Sequence, residues 1–141
     1  MISASIEITA PFFDVDSCHI VWHGHYVKYF ELARCCLLDK IGYNYKHMAE
    51  SGYTFPVVDL QVKYVQSVKF MQTIVVQARL QAWENKLIIH YTIKDQSSGR
   101  TCTKGSTTQV AVALESGLLQ FETPAALRDK VQRCLNAGTE T

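Results

Sequence analysis

Two carboxylates and three imidazoles fall within twelve consecutive positions near the beginning of the chain. The carboxylates belong to Asp14 and Asp16, and the imidazoles belong to His19, His23 and His25. A carboxylate can attack a carbonyl carbon as a nucleophile, or it can take a proton from an attacking water as a general base. The spacing favours neither Asp14 nor Asp16 for this work. We therefore interpret the segment as a candidate active-site loop for hydrolysis.

A helix predicted directly after this loop would supply the second requirement of acyl hydrolysis. From Gly24 to Ile41, apolar residues recur every three to four positions, which is the period of a helix with a buried face. The first N–H groups of a helix have no partner within it, and the helix dipole places partial positive charge there. Such groups can stabilise the oxyanion that forms when a carbonyl is attacked. The order of loop and helix thus indicates hydrolysis without a metal ion.

The same polar residues allow two other interpretations. His19 and His23 are four residues apart and could bind a metal ion together with a neighbouring imidazole or carboxylate. Both precede the predicted helix, so their spacing does not place them on one helical face, which weakens the metal hypothesis. In the other interpretation the carboxylates cap turns and the imidazoles pair with them. That structural role explains any one of these residues as well as function does, but it explains the cluster less well.

Around the loop and helix, the sequence predicts one antiparallel sheet. Apolar and polar residues alternate as in half-buried strands, and a run rich in Thr and Val continues the series. The predicted strands cover residues 2–10, 58–64, 74–82, 87–94 and 101–114. Helices are predicted over residues 43–51 and from Thr123, where Pro124 suits the first helical position. We therefore predict an α+β fold in which about five antiparallel strands wrap around the long central helix.

Length and composition fit a single cytoplasmic domain. The chain has 141 residues, of which 1–135 form the predicted domain and 136–141 a predicted flexible tail. A net charge of +1 gives no field that would draw nucleic acid or an anionic membrane. Five cysteines, an odd number without C-x-x-C spacing, are typical of free thiols in a reducing compartment. The sequence shows no signal peptide and no apolar run of membrane-spanning length, so we expect no membrane insertion.

The loop and the start of the helix also carry a longer motif. It reads Asp14-x-Asp16-x-x-x-Ile20-Val21-Trp22-His23-x-x-Tyr26-x-x-Tyr29-Phe30-Glu31-x-Ala33-Arg34. This string resembles the signature of the 4-hydroxybenzoyl-CoA thioesterase group of hotdog-fold acyl-CoA thioesterases, and it is similar to that of bacterial short-chain acyl-CoA thioesterases. The resemblance implies a hotdog fold, hydrolysis of an acyl-CoA substrate without a cofactor, and assembly into a homodimer or homotetramer.

The resemblance also implies roles for individual residues. The second Asp of the motif is the catalytic carboxylate of the family, and it falls on Asp16. His23 follows seven residues later, where some relatives have a His and where the backbone N–H is the oxyanion donor. Some relatives have a Tyr four positions before the catalytic Asp, but this chain has Phe12 and lacks that hydroxyl. His19 and His25 stand where many relatives have smaller residues, and we interpret both as structural.

The acyl pocket implied by the resemblance lies between two chains. We expect residues close to the loop and residues at the start of the second strand to form its walls. The expected substrate-binding residues are Tyr26, Phe30, Phe55, Pro56, Val57 and Val58. An unpaired strand edge and an uncovered flank of the helix would also favour self-association. Three alternative functions remain, namely hydrolysis of acyl carrier protein thioesters, acyl binding without catalysis, and metal-dependent hydrolysis through the histidine cluster.

Overall fold

The computed structural model describes residues 1–139, which fold around one long helix. In chain order the elements are β1 (Ser3–Thr9), α1 (His25–Ile41), α2 (Tyr45–Glu50), β2 (Tyr53–Thr54), β3 (Val57–Tyr64), β4 (Thr73–Ala82), β5 (Leu87–Asp95), β6 (Thr101–Gln109), β7 (Val112–Ala113) and α3 (Ala125–Thr139). A single 3-10 turn, Phe12–Asp14, lies between β1 and α1. The predicted central helix is therefore confirmed, with Gly24 as its N-cap residue.

The main sheet has five strands in the order β1-β4-β5-β6-β3, and every neighbouring pair is antiparallel. α1 packs chiefly against β1 and β4, so it covers that side of the sheet. Gly42 ends the helix in the left-handed conformation (φ 86°), as a glycine directly after an apolar helical run predicts. The predicted α+β layout of one antiparallel sheet around a central helix is confirmed.

The predicted end of the fifth strand is wrong. The strand predicted over residues 101–114 ends at Gln109, and β7 then pairs with β2 in a separate two-stranded sheet. Thr and Val favour extended backbone, but their composition does not reveal a bend within an extended run. α3 continues through Thr139, so the predicted tail from Asn136 is helical up to that residue. Extending an existing helix costs little, even where apolar side chains no longer mark a face. The rest of that tail, Glu140 and Thr141, lies outside the described residues.

The buried ring of Phe30 packs directly against a glycine. The Phe30 ring is fully buried and stacks on Tyr91, with 4.5 Å between the ring centroids. Gly105 on β6 lies against it, and a Cβ at this position would be 2.6 Å from Phe30 Cζ and 2.8 Å from Gln61 O. Both distances are well below the separation of about 3.5 Å at which carbon atoms attract. Only glycine therefore fits between the ring and the backbone of β3.

Gly105→Ala should destabilise the fold by about 1–3 kcal/mol, the usual cost of overpacking a core. Urea unfolding followed by circular dichroism measures this loss in the free energy of unfolding. Gly138→Ala on α3 is a suitable control, because a Cβ there meets nothing within 4 Å. The control should be neutral or slightly stabilising, since Ala has the higher helix propensity. Equal stability of Gly105→Ala and the wild type would show that Phe30 is not packed in this way.

β3 forms one edge of the main sheet, and no other strand of residues 1–139 pairs with its free side. Several of its large apolar side chains are nevertheless exposed. They are Val57, Val58, Leu60 and Tyr64. Unpaired backbone combined with exposed apolar side chains is typical of a surface that meets another chain.

Two further expectations concern the environment of the protein. The five cysteines are free thiols, as predicted. None of the helices within the described residues is long and apolar enough to cross a membrane.

Candidate active site

The polar loop of the sequence folds into a short hairpin in front of α1. Val15 and Val21 form an antiparallel bridge, and the Asp16 N–H donates to Ile20 O at 2.9 Å. The second arm is attached to the connection between β3 and β4, because the Val21 N–H donates to Val68 O at 2.8 Å. These backbone hydrogen bonds fix the hairpin relative to the sheet.

Asp16 carries a half-buried carboxylate on the first arm of this hairpin. Its Oδ1 accepts a hydrogen bond from the Cys18 N–H at 2.8 Å, which fixes the orientation of the carboxylate. Oδ2 has no hydrogen-bond partner within the described part of the chain. A nucleophile or general base needs one such accessible oxygen on a carboxylate that is otherwise held in place.

Asp14, two residues earlier, has the opposite environment. Its side chain is 2% exposed, Oδ1 accepts from Lys28 Nζ at 2.5 Å, and Oδ2 accepts from the Tyr29 hydroxyl at 2.7 Å. Burial by itself raises the pKa of Asp14, but the hydrogen bonds from Lys28 and Tyr29 and the charges of Lys28 and His25 lower it below its ordinary value. The carboxylate is therefore ionised at neutral pH with both oxygens engaged. This arrangement favours Asp16 over Asp14 for the chemistry.

α1 begins beside the hairpin without a side-chain cap. The Trp22 ring lies over the N-cap residue, Gly24, so closely that a Cβ there would be 2.5 Å from Trp22 Cη2. The N–H groups of His23 and Gly24 donate to no acceptor within the described residues. The Tyr64 hydroxyl donates to His23 O at 2.6 Å and so restrains the peptide group that follows His23. Free amides at the positive end of a helix can receive a developing oxyanion.

The six residues predicted to contact substrate fall into two groups. The buried group is Tyr26, Phe30 and Phe55, and the exposed group is Pro56, Val57 and Val58. The Tyr26 hydroxyl accepts a hydrogen bond from the Val68 N–H at 3.0 Å, so it is already used within the chain. The exposed group at the start of β3 is open to a ligand in the single chain, whereas the buried group lies behind the surface.

Tyr64 is a site residue that sequence reasoning missed. Its side chain is 49% exposed, its hydroxyl binds the His23 carbonyl, and its ring meets Tyr26 edge-on at 5.0 Å between centroids. The alternation along β3 already placed Tyr64 on the same face as Leu60 and Val62. However, only the folded sheet brings position 64 to position 23.

This chain resembles known proteins over most of its length. The model of the thioesterase-like superfamily matches residues 11–135. The chain belongs to that superfamily. A Bacillus subtilis protein named, provisionally, as an acyl-CoA thioesterase is 27% identical over 111 residues, which cover 78% of this chain and 80% of that protein.

Solved structures of thioesterases superpose on this member of the thioesterase-like superfamily over most of its length. DHNA-CoA thioesterase from Staphylococcus aureus has a TM-score of 0.81 at 27% identity, covering 98% of this chain and 96% of that one. A mutant of 4-hydroxybenzoyl-CoA thioesterase complexed with 4-hydroxybenzoyl-CoA has a TM-score of 0.80 at 16% identity, covering 92% and 99%. The second likeness shows the fold alone. Together with the family match, these structures confirm the predicted hotdog fold and the predicted thioester hydrolase.

The three imidazoles of the loop segment occupy separate positions. His19 is exposed at the tip of the hairpin with φ 61°, and the exposed ring of His23 lies 4.9 Å from that of Trp22. His25 opens α1 with Nδ1 3.9 Å from Asp14 Oδ1, a contact that agrees with its structural interpretation. Across the described residues, no three His, Cys, Asp or Glu side chains converge as they would around a metal ion.

Proposed function

We propose that this thioesterase hydrolyses an acyl-CoA to the free acid and CoA, with Asp16 as the nucleophile or general base. The observation that carries the proposal is the half-buried Asp16 carboxylate, with Oδ1 held by the Cys18 N–H and Oδ2 free. Its hairpin leads directly into the unpartnered amides at the start of α1. The names of the relatives support a CoA thioester as the substrate class.

Two chemical routes are open to these residues. As a general base, Asp16 takes a proton from water while the water oxygen bonds to the thioester carbon. As a nucleophile, Asp16 bonds to that carbon itself and forms an acyl anhydride, which water then hydrolyses. In both routes the His23 N–H stabilises the oxyanion, the C–S bond breaks, and CoA leaves as a thiolate that takes up a proton. Neither route requires a cofactor.

The proposed working enzyme is at least a homodimer in which β3 of each chain joins β3 of the other. The free edge of β3 and its exposed apolar side chains support this assembly. Pro56, Val57 and Val58 of one chain would then form a wall of the acyl pocket beside the hairpin of the other. The buried residues Tyr26, Phe30 and Phe55 would shape that pocket from behind.

A cytoplasmic location is also part of the proposal. The five free thiols support it, because a reducing compartment preserves them.

A screen of acyl-CoA thioesters with detection of the released thiol tests the proposed activity. Short-chain, long-chain and aromatic acyl groups should be compared, together with the matching acyl carrier protein thioesters. We expect at least one acyl-CoA to reach a kcat/KM of about 10⁴ M⁻¹s⁻¹ or more, as enzymes do with their natural substrates. A clear preference for carrier-protein thioesters would change the substrate class. Tight acyl-CoA binding without turnover would show that the protein binds acyl groups and is not an enzyme.

Turnover should be unchanged after treatment with EDTA, because Asp16 and the amides at the start of α1 supply both the base and the oxyanion donor. Thiol release before and after dialysis against EDTA measures this, with metal analysis of the purified protein alongside. Loss of activity that one added metal ion restores would contradict the proposed mechanism and make the imidazoles candidate ligands.

A further inference from the structure

The Asp14 carboxylate anchors the hairpin to α1. It accepts hydrogen bonds from two successive residues of the helix, Lys28 at 2.5 Å and Tyr29 at 2.7 Å. The Asp14 side chain is 2% exposed and Tyr29 is 1% exposed, so water does not compete for the Tyr29 bond. Hydrogen bonds to an ionised carboxylate are stronger than neutral ones, and burial strengthens them further. The side chain of Asp14 is therefore bound firmly to the first two turns of α1.

The backbone of Asp14 is joined to both parts of the proposed catalytic site. Asp16 is two residues further along the same hairpin arm. Across the hairpin, the Trp22 N–H donates to Asp14 O at 3.0 Å. The residue after Trp22 is His23, whose N–H is the proposed oxyanion donor. A displacement of Asp14 would therefore move the carboxylate of Asp16 relative to that amide.

At neutral pH the Asp14 carboxylate stays ionised and the Tyr29 hydroxyl stays protonated. Burial raises the pKa of Tyr29, and the hydrogen bond and charge of Asp14 raise it further, so the hydroxyl remains a donor. Asp14 remains the ionised acceptor, because Lys28 and Tyr29 lower its pKa against the effect of burial.

We propose that Asp14 is a positioning residue, which acts through Lys28 and Tyr29 to hold Asp16 and the His23 amide at their working separation. This inference rests on the proposed function of Asp16. Asp14 itself does not touch the substrate, since both of its oxygens are bound to α1. It differs in this from Asp16, whose Oδ2 is free.

Asp14→Asn, Tyr29→Phe and the double variant test the proposal through the separate values of kcat and KM. Asp14→Asn should lower kcat on the order of 10²-fold, because a displacement of about 1 Å at reacting groups costs that much. KM should stay nearly unchanged, since the proposed acyl wall on β3 is not altered. Tyr29→Phe should lower kcat roughly ten-fold. The double variant should be no slower than Asp14→Asn alone, because both changes remove the same anchor.

Tyr43→Phe is the matched control for Tyr29→Phe. Tyr43 is also fully buried, its hydroxyl forms a hydrogen bond with Ser51 Oγ at 2.7 Å, and it lies beyond the opposite end of α1. If the hydrogen bonds of Asp14 to α1 only stabilise the fold, Tyr29→Phe and Tyr43→Phe should both lower the free energy of unfolding. Both should then leave kcat of the folded protein unchanged. Wild-type kcat in Tyr29→Phe would overturn the proposal even if Asp14→Asn does not fold.

Amide hydrogen exchange adds a readout that does not depend on turnover. In folded Asp14→Asn or Tyr29→Phe, the N–H groups of Asp16 and Trp22 should exchange about ten-fold faster than in the wild type, while that of Val131 on α3 should not change. Suppose that the wild-type enzyme is active and that these variants keep its kcat and its exchange rates at Asp16 and Trp22. That result would refute the positioning role of Asp14 and leave the proposed function standing. A wild-type chain that hydrolyses no thioester would instead refute the proposed function.

Discussion

Asp16→Asn should remove nearly all hydrolysis of the preferred acyl-CoA while the fold stays intact. The amide keeps the shape of the carboxylate, and its oxygen can still accept the hydrogen bond from the Cys18 N–H. It can neither attack a carbonyl carbon nor take a proton from water. We expect kcat/KM to fall on the order of 10³-fold or more. Thiol release measures the rate, and circular dichroism with thermal unfolding checks the fold.

Asp39→Asn is the matched control for this substitution. Asp39 is exposed in the last turn of α1, at the end opposite the hairpin, and accepts a hydrogen bond from Asn44. The same chemical change there should leave turnover essentially unaltered. Wild-type turnover in folded Asp16→Asn would move the chemistry to another residue. Asp14 would be the first to examine, although it would have to leave Lys28 and Tyr29 before it could act.

The main elements of the fold could be predicted from the sequence because their signals are local. The three-to-four-residue period of α1 and the alternation along β4 and β5 record which side chains face the core. Gly42 marks the end of α1 because the left-handed conformation required there favours glycine. Each of these signals lies within the element that it describes.

Spacing could not distinguish Asp14 from Asp16, because the groups that bind the Asp14 carboxylate are distant from it in the sequence. Lys28 and Tyr29 follow Asp14 by fourteen and fifteen residues and reach it only when the hairpin folds against α1. Phe30 is a similar case, since its burial depends on the absence of a side chain at Gly105 on another element. The motif resemblance pointed to Asp16 through the family pattern, and the hydrogen bonds now give a physical reason for that choice.

The surroundings of β3 were the least predictable part of the site. Alternation indicated a half-buried strand, yet β3 is exposed along most of its length because α1 lies toward β1 and β4. Alternation of apolar and polar residues predicts that one face of a strand is buried, but it does not show whether the same chain or another chain covers that face. An apolar face left open on an edge strand is therefore a reason to test assembly directly.

Leu60→Lys should convert the protein to a monomer and remove most of its activity. Leu60 is 43% exposed and pairs with the buried Thr107 of β6, so it lies on the helix side of the sheet. In the proposed dimer the partner covers this side chain, and a lysine there would bury an unpaired charge. Light scattering should give 16.0 kDa for the variant and at least twice that mass for the wild type. We expect kcat/KM to fall on the order of 10²-fold, because each site loses the wall that positions its acyl group.

Gln61→Lys is the control, because the next residue of a strand points to the opposite face. It adds the same charge one position further along β3 and should remain assembled and active. A wild-type mass of 16.0 kDa with full activity would refute the shared site.

Mixing two inactive variants distinguishes a shared site from assembly alone. Asp16→Asn chains keep a normal β3, whereas Val58→Trp chains keep a normal hairpin but carry a bulky ring on the proposed wall. In a mixed dimer, one of the two sites combines the intact Asp16 of the Val58→Trp chain with the intact β3 wall of the Asp16→Asn chain. Thiol release should therefore reappear after the two variants are unfolded and refolded together. Native mass spectrometry should confirm that mixed dimers have formed. Mixed dimers without any recovered activity would show that each chain builds its own site, even though the chains associate.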